Sequence, residues 1–252
     1  MSEDRGQKAR AGWQEGIGLA GGTIYVCGHA RAGASSGRVK IHVLPSGPIQ
    51  TIGYLLTEPA LGEAVLVDAP GGILAKIQPL LAKEGCTLKE LWLTHGHWDH
   101  TQDVAKVVDE TQALVRGHAD DRILFETPEI MEERMGRKLG LKPVKVDAWV
   151  AQGDRLKALG RFFEVRHVPG HCPGNVLFYQ AETNAAFVGD ALFNGGVGRW
   201  DFPGGDFEML ARSIREQIYT LPDDTVVFPG HGERTTVGAE KAGNPYVTAV
   251  PS

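Results

Sequence analysis

The stretch LTHGHWDH, residues 93–100, places His95, His97, Asp99 and His100 within six positions of one another, in a chain that has nine histidines among 252 residues. Imidazole nitrogens and carboxylate oxygens are ligands for zinc, and equally for iron, manganese or nickel. So many polar groups packed together are costly to bury unless something partners them, and a bound metal partners several at once. Three more strand-like runs end in a small turn that carries such a group. VRHVPGHCPG ends on His171, VVFPGHG ends on His231, and AFVGDALF carries Asp190. Strand ends at one rim of a sheet can converge on a point although they lie far apart in sequence. These seven ligands, His95, His97, Asp99, His100, His171, Asp190 and His231, suffice for two divalent metals. Gly96 removes side-chain bulk between two of them, and Pro169-Gly170 and Pro229-Gly230 set a bend just before the distal histidines. A lone H-x-H is commonly just a polar turn. Its combination with two P-G-H turns and a strand-borne G-D is far more specific.

The elements that must position these groups follow from periodicity. VKIHVLP, IQTIGYLLTE and EAVLVDAP are β-branched or alternating runs bounded by Gly and Pro, and predict strands. GGILAKIQPLLAKEG has apolar residues at helical spacing, Ile73, Ile77, Leu80 and Leu81, with Pro79 predicting a kink or an early break. KELWLTH is a short strand running into the histidine motif. TQDVAKVVDETQ is a helix with Thr101 as its N-cap, and ALVRGH is a further strand. Later RFFEVRHVPGH, NVLFYQAE, AAFVGDALF and DTVVFPGHG predict strands. DFEMLARSIREQIYTL predicts an amphipathic helix that turns Met209, Leu210, Ile214, Ile218 and Leu221 inward. Two sets of strands, each followed by helices, are compatible with two sheets packed face to face and helices outside.

Two segments stand apart. Residues 1–38 are polar and glycine-rich, with one apolar patch, GTIYVCG, and are expected to be a loosely attached arm; the core domain is expected over 39–252. Residues 119–150 are rich in charge and methionine and helical in pattern. They interrupt the strand-helix alternation, as a wall or lid over a site or as a plain surface hairpin. Their acidic and basic residues, such as Glu132, Glu133 and Arg134, are most simply a solvated helix face.

Composition narrows the functional classes. Hydrophobic content of 42% and charged content of 23% are ordinary for a chain that buries a core. A net charge of −5 gives no electrostatic reason to expect a nucleic-acid partner. Cys27, Cys86 and Cys172 are few, odd in number and without C-x-x-C spacing, which favours a reducing compartment over a disulfide framework. The N-terminal residues show no apolar signal core, and no run approaches the length of a membrane span. A cytoplasmic enzyme acting on a small molecule is expected; nothing in the chain indicates an oligomeric state.

THGHWDH, then PGH, GDALF and PGHG, resembles the metallo-β-lactamase-fold superfamily from about Val39 onward. The resemblance implies a four-layer αββα sandwich with a dinuclear site at one edge of the sheets. It implies that His95, His97 and His171 hold one metal, that Asp99, His100 and His231 hold the second, and that Asp190 bridges them. Asp68, in VLVDAPGG, matches a family turn beside the site and is expected to orient ligands without binding metal. Two divalent ions are implied, zinc foremost, with iron or manganese as alternatives. Such a pair generates a hydroxide nucleophile, so hydrolysis of an acyl or phosphoryl bond is the reaction implied, with Asp99 and Asp190 as its catalytic carboxylates.

The aspartate-bridged ligand set resembles glyoxalase II-type thioesterases, lactonases and nucleases of the superfamily more than its β-lactamases. VGRWDFPGGD, residues 197–206, and the ending TTVGAEKAGNPYV resemble the glyoxalase II-like (hydroxyacylglutathione hydrolase-like) branch and its persulfide dioxygenase relatives. A thioester is the expected substrate. A mononuclear iron persulfide dioxygenase, or a lactonase or β-lactamase, is the alternative, and a non-catalytic binding module is disfavoured because no ligand is missing. About twenty residues follow His231, too few for the C-terminal helical domain of classical glyoxalase II, and Asn175 stands where the family commonly has histidine. Glutathione contacts therefore do not carry over. Outside the motifs, Phe193 and Asn194 are expected to line the pocket, Arg199 and Asp201 to brace their loop, Cys172 to be small and buried, and His118 to cap or lie at the surface.

Overall fold

Successive side chains of a strand point to opposite faces, so a strand apolar at every position must be covered on both sides. Glu63–Val67 (β5), Val176–Gln180 (β11) and Ala185–Gly189 (β12) come close to this, with Glu63 and Gln180 at strand ends as the exceptions and every position but Glu63 buried. In the computed structural model, which describes residues 13–15, 23–26 and 38–249, the two faces of these strands feed two different cores. Val65, Val67, Val176, Phe178 and Phe187 join one buried cluster. Leu66 faces a second cluster with Ile73, Ile77, Val104 and Val107, while Leu177, Ala186 and Val188 face a third with Leu210, Ile214 and Ile218.

The first sheet has eight strands in the order Trp13–Glu15 (β1), Thr23–Val26 (β2), Val39–Ser46 (β3), Thr51–Glu58 (β4), β5, Thr87–Trp92 (β6), Leu114–His118 (β7) and Ala148–Val150 (β8). It is antiparallel from β1 to β5 and parallel from β5 to β8. The second sheet starts at Arg155–Ala158 (β9) and runs through Arg161–His167 (β10), β11 and β12 to Val226–Pro229 (β15) and Thr235–Thr236 (β16). Within it only β12 and β15 pair in parallel. Leu192–Phe193 (β13) and Gly196–Val197 (β14) make a separate ribbon. Helices Ile73–Glu84 (α1) and Val104–Thr111 (α3) cover the outer face of the first sheet. Phe207–Ser213 (α6), continued by a π turn at Ile214–Ile218, and Val237–Gly243 (α7) cover the second. The result is the four-layer αββα sandwich. Its inter-sheet layer packs Trp92 edge-on to Phe163 and Tyr54 edge-on to Phe187 and Phe228. No helix among the described residues is long and apolar enough to cross a membrane.

Several local expectations are corrected. α1 runs unbroken through Pro79. Ala75 and Pro79 lie on its exposed face, so the carbonyl deprived of a partner meets solvent. Thr101 is not an N-cap: it ends the one-turn helix Trp98–Thr101 (α2), its hydroxyl donates to the His97 carbonyl, and Asp103 occupies the cap position of α3. Met209 is exposed, one position off the buried stripe of α6. From the segment read as an arm, β1 and β2 add two strands to the first sheet, while residues 1–12, 16–22 and 27–37 lie outside the described residues, Cys27 and His29 among them. Within residues 119–150 the helical part is confined to a 3₁₀ turn at Ala119–Asp121, Arg122–Glu126 (α4) and Glu129–Met135 (α5), and the segment ends as β8 of the sheet.

Candidate metal centre

The parallel strands β5 and β6 deliver Asp68 and the histidine motif from their C-terminal ends. In the second sheet the parallel pair β12 and β15 delivers Asp190 and His231, and β10 runs out toward His171. Carboxyl ends of parallel strands share one edge, the usual place for a ligand site in an open sheet. The structure brings all seven predicted residues together there. His95, His97 and His171 form one group, His95, His100 and Asp190 a second, and Asp99, His100 and His231 a third, each with its ligand atoms within 4.8 Å of one another.

Ring orientation makes the first group convergent. His95, His97 and His171 stand mutually edge to face, at centroid separations of 4.7, 4.5 and 4.9 Å and interplanar angles of 83° to 85°. In three of the histidines Nδ1 is occupied. His171 Nδ1 donates to the Arg199 carbonyl at 2.7 Å, and His100 Nδ1 to Asp68 Oδ2 at 2.8 Å. His95 Nδ1 meets Thr94 Oγ1 at 3.0 Å, whose own proton goes to Asp68 Oδ2. Each Nε2 lone pair is thereby turned to the centre. His95 Nε2, His100 Nε2, His171 Nε2 and Asp190 Oδ1 are buried without a well-formed hydrogen bond among the described residues. Orphaned buried atoms on four converging ligands fit a cation, because leaving them unpartnered is costly.

The charges fit as well. Burial, then the neighbouring imidazoles, push His95 well below its ordinary value, and burial with His171 takes His97 down to about 3. Both rings are therefore neutral and available as ligands. Asp99 and Asp190 are held below the ordinary carboxylate range: burial opposes ionisation, but His100 and His231 outweigh it. Reciprocally, burial would lower His100 and His231, and the carboxylates raise both instead. The attraction that favours a proton on His100 and His231 favours a metal cation in its place.

Asp68 sits where it was expected, beside the cluster. It accepts from the backbone N–H of Thr94 at 2.8 Å as well as from His100, and its φ of 59° is a left-handed conformation that Asp tolerates. Gly230 is required by close approach, since a Cβ there would lie 2.1 Å from Asp190 Oδ1. Gly170 combines a φ of +126° with a virtual Cβ 2.3 Å from the Leu210 backbone nitrogen.

The sequence reading missed Asp121, which is fully buried. Oδ2 accepts from the Gly96 N–H at 2.7 Å and from Cys172 Sγ at 3.1 Å, and Oδ1 accepts from the Gly174 N–H at 2.7 Å. One carboxylate thus ties the loop of His95 and His97 to the loop of His171. It lies in the segment read as a wall or lid or as a plain surface hairpin, and only its place just after the strand that ends on His118 could have signalled it. Thr51 was also missed; its hydroxyl donates to Asp99 Oδ2 at 2.7 Å. Cys172 is buried as expected, and Arg199 and Asp201 pair through two bonds of 2.9 Å. Phe193 lines the cavity above the cluster, whereas Asn194 donates to the Arg234 carbonyl. His118 caps the 3₁₀ turn by accepting from the Asp120 N–H. It also forms a second polar group with Asp120 and His167, but its ring stacks on His167 at 18°, so the two rings aim alike and not at a common point.

Above the cluster lies a cavity of about 730 Å³. Its walls come from Trp98, from Phe193 and Val197 of the ribbon, from Phe202, and from Met131, Arg134, Met135 and Arg137 of residues 129–137. Glu132 is no plain surface residue: its Oε1 accepts from the N–H groups of Leu139 and Leu141 and holds the returning loop.

An αββα sandwich that gathers histidine and aspartate at one sheet edge defines a metal-binding hydrolase fold. The chain belongs to the metallo-beta-lactamase superfamily, whose model matches residues 48–231. It is 38% identical over 188 residues to hydroxyacylglutathione hydrolase GloC of Haemophilus influenzae, covering 74% of this chain and 88% of that one. Among solved structures it resembles the B3 metallo-beta-lactamase BLEG-1, at 36% identity and a TM-score of 0.74 over 82% of this chain and 99% of that one. It also resembles TTHA1623 in a di-iron-bound form, at 38% identity and a TM-score of 0.72 over 81% of this chain and 99% of that one. The chain is thus a metal-binding hydrolase of the glyoxalase II-like branch.

Proposed function

We propose that this chain is a dinuclear metal-dependent hydrolase that cleaves an acyl bond, a thioester foremost. The observation that carries the reading is the position of Asp190 between the two groups of imidazoles. Its Oδ1 lies 3.3 Å from His100 Nε2, and its Oδ2 lies 3.7 Å from His171 Nε2 and 3.5 Å from His231 Nε2. His95, His97 and His171 would hold one divalent ion, Asp99, His100 and His231 the other, and Asp190 both. Zinc suits this donor set, and the di-iron form of a similar protein makes iron the first alternative.

Two bound ions would supply a water whose pKa falls from about 16 to about 7, together with positive charge for the carbonyl oxygen. The chain's own residues supply the rest. Asp99, held by the Thr51 hydroxyl, orients the attacking water and receives its proton. The Arg199 carbonyl and Asp68 keep His171 and His100 in the tautomer that presents Nε2. Trp98, Phe193 and Phe202 exclude bulk water around the acyl group. Likeness to a hydroxyacylglutathione hydrolase supports the thioester; likeness to a B3 enzyme makes β-lactams the second class to test.

The test is release of free thiol from short acyl thioesters by protein whose metal content has been counted. Asp190→Asn and His97→Ala should each lower turnover by at least about a hundredfold and reduce metal per chain, with far-ultraviolet circular dichroism unchanged. Undiminished activity in both variants would refute the reading. One iron per chain with oxygen uptake on a persulfide would replace it with a dioxygenase.

A further inference from the structure

Apart from the metal ligands, the cavity is lined by apolar side chains and by three arginines, Arg134, Arg137 and Arg199, with no further acid. Arg199 is already committed, since both of its bonds to Asp201 are 2.9 Å long and its guanidinium lies 4.1 Å from the Phe202 ring centre. Arg134 and Arg137 are not so committed. Arg134 contacts Met131 Sδ at 3.8 Å and Arg137 the ring of Trp98 at 5.9 Å, and among the described residues neither has a carboxylate partner. Both come from one short reversal of chain. α5 ends at Gly136, whose φ of 63° is left-handed and whose N–H returns to the Glu132 and Glu133 carbonyls. The Arg137 N–H also returns to the Glu132 carbonyl, and the Glu132 side chain clamps the next turn through Leu139 and Leu141. That closure sets residues 134 and 137 at the same mouth on a braced backbone. A guanidinium presents a planar fork of donors that matches a carboxylate or phosphate.

We propose that Arg134 and Arg137 are specificity-determining residues that grip an oxyanion, carboxylate or phosphate, carried by an otherwise apolar substrate. The apolar body lies along Trp98, Met131 and Phe202, and the reacting carbonyl reaches the ligand cluster. The identity of the reacting end rests on the hydrolase reading; the binding preference does not.

The test uses probes that are not cleaved. S-benzyl thioethers of 3-mercaptopropionate, of its amide and of the matching phosphonate are titrated calorimetrically into the metal-loaded full chain. The wild type should bind the oxyanion-ended probes on the order of tenfold tighter than the amide, with the advantage shrinking as salt rises. The tighter of the two oxyanions identifies the group. In the Arg134→Ala/Arg137→Ala double variant the advantage should fall to near unity, and the Lys/Lys variant should restore part of it. Equal binding of all three probes by the wild type would overturn the proposal. So would an advantage that survives in the double variant, which would put the oxyanion on the metals. A chain with the arginine-dependent preference that cleaves no thioester loses only the proposed function. A chain that cleaves thioesters without the preference loses only this inference.

Discussion

Replacing Asp121 is the most informative perturbation of this molecule. Its carboxylate accepts from two buried backbone N–H groups, those of Gly96 and Gly174, each at 2.7 Å, and from the Cys172 thiol at 3.1 Å. Asp121→Ala leaves both N–H groups without a partner. At about 1–3 kcal/mol for each of the two orphaned donors, the loss should be about 2–6 kcal/mol. Asp121→Asn keeps one acceptor and sets an amide N–H₂ against the other donor, so about half of that loss is expected. Cys172→Ala removes only the weak thiol donor and should cost less than about 1.5 kcal/mol. Because Gly96 lies between His95 and His97, and Cys172 follows His171, the same substitution should also loosen the ligands. A support of this kind is worth about 10–100-fold in metal affinity. Urea unfolding of metal-stripped protein reads the first effect, and competition with a chromophoric chelator reads the second. Asp121→Asn within about 0.5 kcal/mol of the wild type, with metal affinity unchanged, would refute the view that one buried carboxylate holds the two ligand loops.

Asp68→Asn should lower metal affinity by about 10–100-fold at unchanged helix and strand content, since it disturbs the acceptor of His100 Nδ1; equal affinity by chelator competition would count against that role. Gly170→Ala should cost more than about 3 kcal/mol in thermal unfolding, because its Cβ would meet the α6 backbone at Leu210, whereas Gly195→Ala, with φ +69° and open space around it, should cost about 1 kcal/mol. Glu90 is the pH-dependent case. Burial would raise its pKa, but hydrogen bonds from Arg116 and Trp92 prevail and lower it. Its contribution is therefore complete at neutral pH and disappears as pH falls through the depressed value. Glu90→Gln should lose about 1.5–3 kcal/mol at pH 7, and the gap to the wild type should narrow in acid urea melts; a gap independent of pH would exclude the mechanism.

The fold was legible in the chain because each strand carries its own evidence. The apolar runs 64–67, 176–179 and 185–188 demand cover on two faces, which a sandwich with outer helices provides. The ligand cluster was legible because His95, His97, Asp99 and His100 are local in sequence and His171, Asp190 and His231 follow short turn signals at strand ends. Where local rules misled, packing had decided. Pro79 stays inside α1 because its face is exposed, and Thr101 loses the cap because α2 turns within the ligand motif itself.

By itself the sequence named the candidate ligands: His95, His97, Asp99 and His100 in one motif, and His171, Asp190 and His231 at strand-end turns. It determined the layer architecture too, since burial periodicity is a local property. Only the tertiary structure decided that Asp121, Thr51 and the Arg199 carbonyl orient those ligands, and that Arg134 and Arg137 meet at the cavity mouth. The reason is physical. A ligand type is written in one residue, whereas an orientation is the sum of hydrogen bonds from residues such as 51, 121 and 199, which lie 48, 25 and 28 positions from the groups they hold and reach them only in the folded chain.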